Sequence, residues 1–167
     1  MNYTKAEVLE SEAVMNQMRN AIYHLARFVE KAGKTDIKER LRKMGRNIAR
    51  TLHQYWKPIE IVTTSNVRDV ISTIYKKILI SSVSIEIEND HIHVKDNDCA
   101  LCKYHYEDVY IAGCEIILGM VSEFVSLISR ESKHISSIYL DPVEVDKSKA
   151  YGDTMCIQVY KIKQGGA

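Results

Sequence analysis

No apolar run in the 167 residues approaches the ~18 that a helix needs to cross a bilayer. The first residues, Met1-Asn-Tyr-Thr-Lys-Ala-Glu, lack the basic-then-apolar order of a secretory signal. These absences predict a soluble, cytoplasmic protein. Catalytic signatures are missing as well: there is no phosphate loop, no Gly-x-Ser-x-Gly elbow, no His-Glu-x-x-His pair and no dinucleotide fingerprint. The expectation is a protein that is not an enzyme. No segment repeats and none is of low complexity, so 167 residues with 46% apolar content read as a single domain, 1–167, with a real core.

Neither sign of charge dominates. The net charge of +1 nevertheless hides an asymmetry, because residues 1–57 hold 12 Lys/Arg against 6 Asp/Glu while residues 81–167 hold 8 against 14. Such a split predicts a basic helical half that meets an opposite face of a like subunit or an anionic surface, or is simply solvated. No specific nucleic-acid partner is expected.

The pattern of apolar residues divides the chain into helices and strands. Thr4 and Glu7 form a capping box, and Val8, Met15, Met18, Ile22, Leu25 and Val29 follow at helical spacing up to Gly33. Asp36 and Glu39 open a second helix with the apolar line Ile37, Leu41, Met44, Ile48, Leu52 and Tyr55, ended by Pro58. Gly45 in its middle costs about 1 kcal/mol against alanine, which reads either as a close helix or ligand approach or as plain tolerance. Asn66 and Asp69 open a third helix carrying Val67, Val70, Ile71, Ile74 and Ile78. The period then changes to two: Val83, Ile85 and Ile87, the turn Asn89-Asp90, and Ile92 and Val94 predict a hairpin with one wet face. Residues 106–129 read as the most apolar, central helix. Ile135, Ile138 and Leu140 predict a third strand, residues 142–152 a loop, and Met155, Ile157 and Val159 a fourth strand, with Gly165-Gly-Ala frayed. The sum is an α+β domain with helices packed on a small antiparallel four-stranded sheet. Residues 1–80 form its helical, dimerising half, and residues 81–163 hold the hairpin, central helix and C-terminal strands.

Four cysteines in an intracellular protein read as reduced thiols or metal ligands rather than a disulfide framework. In Cys99-Ala-Leu-Cys102-Lys-Tyr-His105 two thiols could chelate from one turn with His105 close behind. Cys156 could return from the last strand as a fourth ligand of one Zn2+. The alternative is a cluster of reduced structural thiols. Cys114 falls on the apolar stripe of the central helix and reads as core filler. His91 and His93 alternate with Ile92 and Val94 and belong to the wet face of the hairpin.

These same segments carry a family resemblance. The cysteine loop, the helix start Val109-Tyr-Ile-Ala-Gly113 and the terminal Gly152-Asp153-Thr-Met-Cys156 resemble the 4-vinyl-reductase-type, hydrocarbon-binding domain of bacteria and archaea. Lys43-Met44-Gly45-Arg46-Asn47-Ile48 is similar to a stretch of the core subunits of the TRAPP vesicle-tethering complex, which share that fold. The fold implied is that of the ligand-binding domains of NO signalling and Golgi transport. The resemblance implies a homodimer paired through its first helices, with Arg42, Arg46 and Arg50 as a basic line, and an apolar channel for a hydrocarbon, acyl chain or other lipid lined by Met44, Ile48, Leu52, Ile71, Ile74 and Ile117. It also implies a metal-binding cysteine where this chain has Ser148 and an acidic residue where it has Val145. TRAPP-type subunits carry an acylated cysteine before the third helix, but Val62-Thr-Thr-Ser65 stands there, which excludes covalent acylation at that place. The Tyr-x-Ser-x-Arg haem clamp of related sensors is absent. Two functions follow as expectations: a non-enzymatic sensor or adaptor that binds a small apolar molecule, or an assembly subunit that docks protein partners without a required ligand.

Overall fold

The computed structural model describes residues 4–33, 35–105, 107–132 and 137–164, with the backbone alone over 7–12. Its elements are α1 (Lys5–Lys31), α2 (Ile37–His53), α3 (Val67–Ile74), β1 (Val83–Glu88), β2 (His91–Asp96), α4 (Glu115–Ser132), β3 (Ile138–Lys147) and β4 (Cys156–Gln164). The strands form one antiparallel sheet in the order β1-β2-β4-β3. The fold is thus α+β, with four helices on a four-stranded sheet. No described helix is long and apolar enough to cross a membrane.

α4 is buried nearly all round, as its composition requires. Its main neighbour is α2, which packs on it more extensively than any other pair of elements in the fold. The buried line of α2 is Ile37, Leu41, Gly45 and Ala49, an i, i+4 ridge ending in small residues. A side chain at Gly45 would overlap the Ile116 carbonyl oxygen, and one at Gly119 would overlap that of Arg42. The two backbones touch where both glycines meet. The expected line through Met44, Ile48, Leu52 and Tyr55 is therefore rotated off the contact: Met44 and Ile48 are partly exposed and Tyr55 is fully so.

Ion pairs between the two halves offset part of the charge asymmetry. Arg42 meets the buried Glu115 at 2.7 Å and Arg50 meets the buried Glu123 at 2.9 Å, so basic α2 neutralises acidic α4 at two points eight residues apart on each helix. Arg42 also donates to the Pro142 and Val143 carbonyls at 3.2 and 3.0 Å. Those carbonyls lie at a register shift in β3. β3 runs on to Lys147 through two such irregularities, where a loop from Pro142 was expected. Proline is tolerated because β3 is an edge strand.

The hairpin is as its alternation implies, with Ile85 opposite Val94 and Asn89 at φ 56 in the turn. In β4 the register pairs Asp96 with Cys156, Val94 with Gln158 and Ile92 with Tyr160, so the interior face of the last strand is Cys156, Gln158 and Tyr160. The alternation of Ile157 and Val159 marks the other face. α3 passes into a π-turn over Tyr75–Leu79 that ends at Ile80 in the left-handed region, φ 53. The expected helix start at 106 is not found in the described residues: 107–114 are irregular and α4 begins at Glu115. Ile135, Tyr106 and Gly165–Ala167 lie outside the described residues.

Candidate functional site

Two features converge on the irregular segment between β2 and α4. The first is a cluster of thiols. Cys99, Cys102, Cys114 and Cys156 are all buried and unpaired by disulfides, and their sulfurs all lie within 4.8 Å of one another. Cys99 and Cys102 come from one turn, closed by the Cys102 N–H on the Cys99 carbonyl at 3.4 Å. Cys114 immediately precedes α4, and Cys156 enters on the inner face of β4. His105 is not among them: its Nδ1 is hydrogen-bonded to the Ala150 carbonyl at 2.9 Å and its ring lies under Gly152. Cys114 takes the place that the sequence spacing assigned to His105. Residues 107–114 wrap instead of coiling, and that carries Cys114 off the helix stripe and into the cluster.

Hydrogen-bond donors surround two of the sulfurs, those of Cys102 and Cys156. The Cys114 N–H, at the positive end of α4, points at Cys102 Sγ at 3.2 Å, and the Lys149 N–H points at Cys156 Sγ at 3.5 Å. The Tyr23 hydroxyl lies 3.7 Å from Cys102 Sγ, and the Ser148 hydroxyl lies 3.7 Å from Cys156 Sγ and 3.8 Å from Cys114 Sγ. Burial raises the Cys102 thiol, but hydrogen bonds from Cys114, Cys156, Cys99 and Ser148 outweigh it and hold Cys102 well below the usual thiol range. Burial pushes Cys114 well above that range. Tetrahedral four-thiolate zinc has Zn–S near 2.3 Å, which places sulfurs about 3.8 Å apart. The four cysteines are close enough together to bind a metal of that kind. Ser148 and Val145 contribute no metal-binding group, and four sulfurs complete a tetrahedron without them.

The second feature is an apolar groove of about 440 Å³, within the ordinary range of small-molecule sites. α1 supplies Met15, Met18 and Ile22, α2 supplies Met44 and Ile48, and α4 supplies Ile116, Ile117 and Met120. The π-turn closes one end with Ile78, Leu79 and Ile80, and the cysteine loop lines it with Asp98, Ala100, Leu101 and Lys103. Met18, Met44, Ile48 and Ile80 are 49%, 37%, 36% and 88% exposed, so the apolar lining is open to solvent. Of the residues expected to line a channel, Met44, Ile48 and Ile117 do so. Ile71 and Ile74 are fully buried in the core on α3, and Leu52 packs against that core from the far end of α2.

α1 is joined to this segment by polar contacts that its apolar spacing did not announce. Arg19 Nε donates to the Ala100 carbonyl at 2.7 Å, and the Tyr23 hydroxyl lies 3.4 Å from the Leu101 carbonyl while accepting the Gly113 N–H at 3.3 Å. Arg27 forms a two-pronged pair with Asp108 at 2.6 and 2.7 Å. The only signal for them is that Arg19 and Tyr23 fall at i, i+4 beside Ile22 and Ala26, on the inner face of α1.

No family model matches the chain, and no curated protein matches it in sequence. Solved structures do match in shape. A trafficking protein particle complex subunit 3 from Naegleria fowleri, covalently bound to palmitic acid, superposes with a TM-score of 0.64 over 92% of this chain and 97% of its own, at 13% identity. An H-NOX protein of T. tengcongensis matches with a TM-score of 0.40 over 83% of this chain and 68% of its own, at 18% identity. The fold is TRAPP-like.

Proposed function

We propose that the chain is a non-enzymatic binding domain of the 4-vinyl-reductase, hydrocarbon-binding type, from an archaeon or bacterium. It holds a hydrocarbon or acyl chain in the groove between α1, α2 and α4 and acts as a homodimeric sensor or adaptor. The observation that carries this reading is the open groove itself, where methionine and isoleucine side chains from four elements face a common space. Each methylene moved there from water contributes about 0.8 kcal/mol, so a chain of ten or more carbons has ample driving force. The TRAPP-fold relative holds palmitic acid covalently. Here Val62 is buried and Thr63 to Ser65 offer no thiol, so the ligand is held without a covalent bond.

The four-cysteine cluster is a Zn2+ site in this reading. Four sulfurs leave no open position, so the metal is structural and performs no chemistry on a substrate. The homodimer is supported by α1, whose outer face carries Val14, Met18, Ala21, Leu25 and Phe28 at alternating spacings of four and three, all exposed. That is the spacing of a helix seam. In the second reading, an assembly subunit docks partners on that seam with no need of a ligand.

Mass spectrometry of organic extracts from the purified protein, with elemental analysis of the same sample, tests the first reading. It expects a retained acyl or hydrocarbon chain and close to one zinc per chain. A protein without lipid that also ignores added fatty acids, yet binds partners, supports the second reading instead.

A further inference from the structure

We propose that metal occupancy of the four-cysteine centre and ligand occupancy of the apolar groove are thermodynamically linked through residues 98–103, a regulation that rests on the binding reading above. The two sites share a segment. Cys99 and Cys102 are half of the thiol set, and Ala100 and Leu101, which lie between them, are part of the groove wall together with Asp98 and Lys103. A metal held by both thiols fixes the backbone of the turn, and with it the surface presented to a ligand. Without metal the turn keeps the long Cys102 N–H bond to the Cys99 carbonyl, the Arg19 bond to the Ala100 carbonyl and weak thiol contacts, none of which fixes Cys99 Sγ and Cys102 Sγ relative to Cys114 and Cys156 as a shared ion would.

The same segment carries the opposite wall. α1 touches α2 sparsely, and its side chains bond to Ala100, Leu101, Cys102, Gly113 and Asp108. Arg19 and Tyr23 thus tie the helix that carries Met15, Met18 and Ile22 to the cysteine loop, beside the core packing of Ile22, Tyr23 and Ala26. Once Cys102 is a metal-bound thiolate it accepts only, and the Tyr23 O–H becomes a charge-assisted donor to it. A ligand chain that touches α1, α2, α4 and the loop at once closes the arrangement that the metal closes from behind. Each occupant then favours the state the other binds, and reciprocity requires the same factor in both directions.

The test uses the full chain, Zn2+ and a pyrene-labelled hexadecanoate. Probe affinity is measured with zinc loaded and after chelation, and zinc affinity by chelator competition with and without probe. The expected result is a change of about tenfold, equal in the two directions. Tyr23→Phe, which alters no thiol and no groove residue, should keep its zinc and its helical content while the linkage falls severalfold; it also serves if the stripped protein unfolds. Zinc and probe that both bind with affinities independent to within about twofold overturn the linkage and leave the binding reading intact. A parent that retains no zinc or takes up no probe overturns the binding reading, and the linkage with it.

Discussion

The Cys114 backbone N–H donates to Cys102 Sγ at 3.2 Å across twelve residues of chain, joining the start of the central helix to the cysteine turn. This contact makes Cys114, not His105, the neighbour of Cys99, Cys102 and Cys156. Substitutions separate the two. Cys114→Ser should lose most of the bound zinc and lower the melting temperature, since a structural metal contributes its binding energy to folding. His105→Ala should keep the zinc and cost only about 1 kcal/mol, the net value of one hydrogen bond. Elemental analysis with thermal melts of both variants checks this, and zinc lost from His105→Ala but kept in Cys114→Ser would refute it.

Gly45→Ala should destabilise the fold by about 3 kcal/mol or more, although alanine is the better helix former by about 1 kcal/mol. The added methyl would overlap the Ile116 carbonyl, which is backbone and cannot swing aside. Gly119→Ala should behave alike against Arg42. Denaturant melts measure both.

Much of this architecture is legible in the sequence. The hairpin follows from a strict period of two, and Gly152, at the end of the expected loop, stands at φ 93. Cys114 was not readable as a site residue, because its register on an apolar stripe fits a helix starting at 106. Only the tertiary contacts of Gly113, which passes tightly over Leu101, show why the helix starts later. The rotation of α2 was hidden for a similar reason. Hydrophobicity favours Met44 and Ile48 as core, whereas close packing favours the smaller Gly45 and Ala49, and the exposed larger residues become groove. Arg19 and Tyr23 reach carbonyl oxygens about 80 residues away, a relation that no local pattern encodes.

Acid should loosen α1. The hydrogen bond from Arg27 holds the Asp108 carboxyl below its ordinary value. A carboxyl depressed in the folded state stabilises it above the unfolded pKa, and that contribution is lost as pH falls through the folded value. The protection of α1 amides against hydrogen exchange, relative to the intrinsic rate at each pH, should therefore fall from the ordinary aspartate range downward. Asp108→Asn should remove this part of the pH dependence and exchange faster at neutral pH. An unaltered profile would show that the pair does not anchor α1.

Leu25→Glu with Phe28→Glu should produce monomers, because charge replaces the last two residues of an exposed apolar seam without touching the core. Sedimentation at tens of micromolar compares them with the parent, which should be dimeric. A monomeric parent would contradict the dimer.

The central claim is that the groove binds an apolar chain, and calorimetric titration with hexadecanoate of the zinc-loaded parent and of Ile48→Glu tests it most directly. Ile48 is partly exposed on the groove wall, so the variant should fold normally while placing a carboxylate against the ligand chain. The account predicts one equivalent bound by the parent and at least a tenfold loss of affinity in the variant, or about 1.4 kcal/mol. No binding by the parent, or equal binding by both proteins, would contradict it.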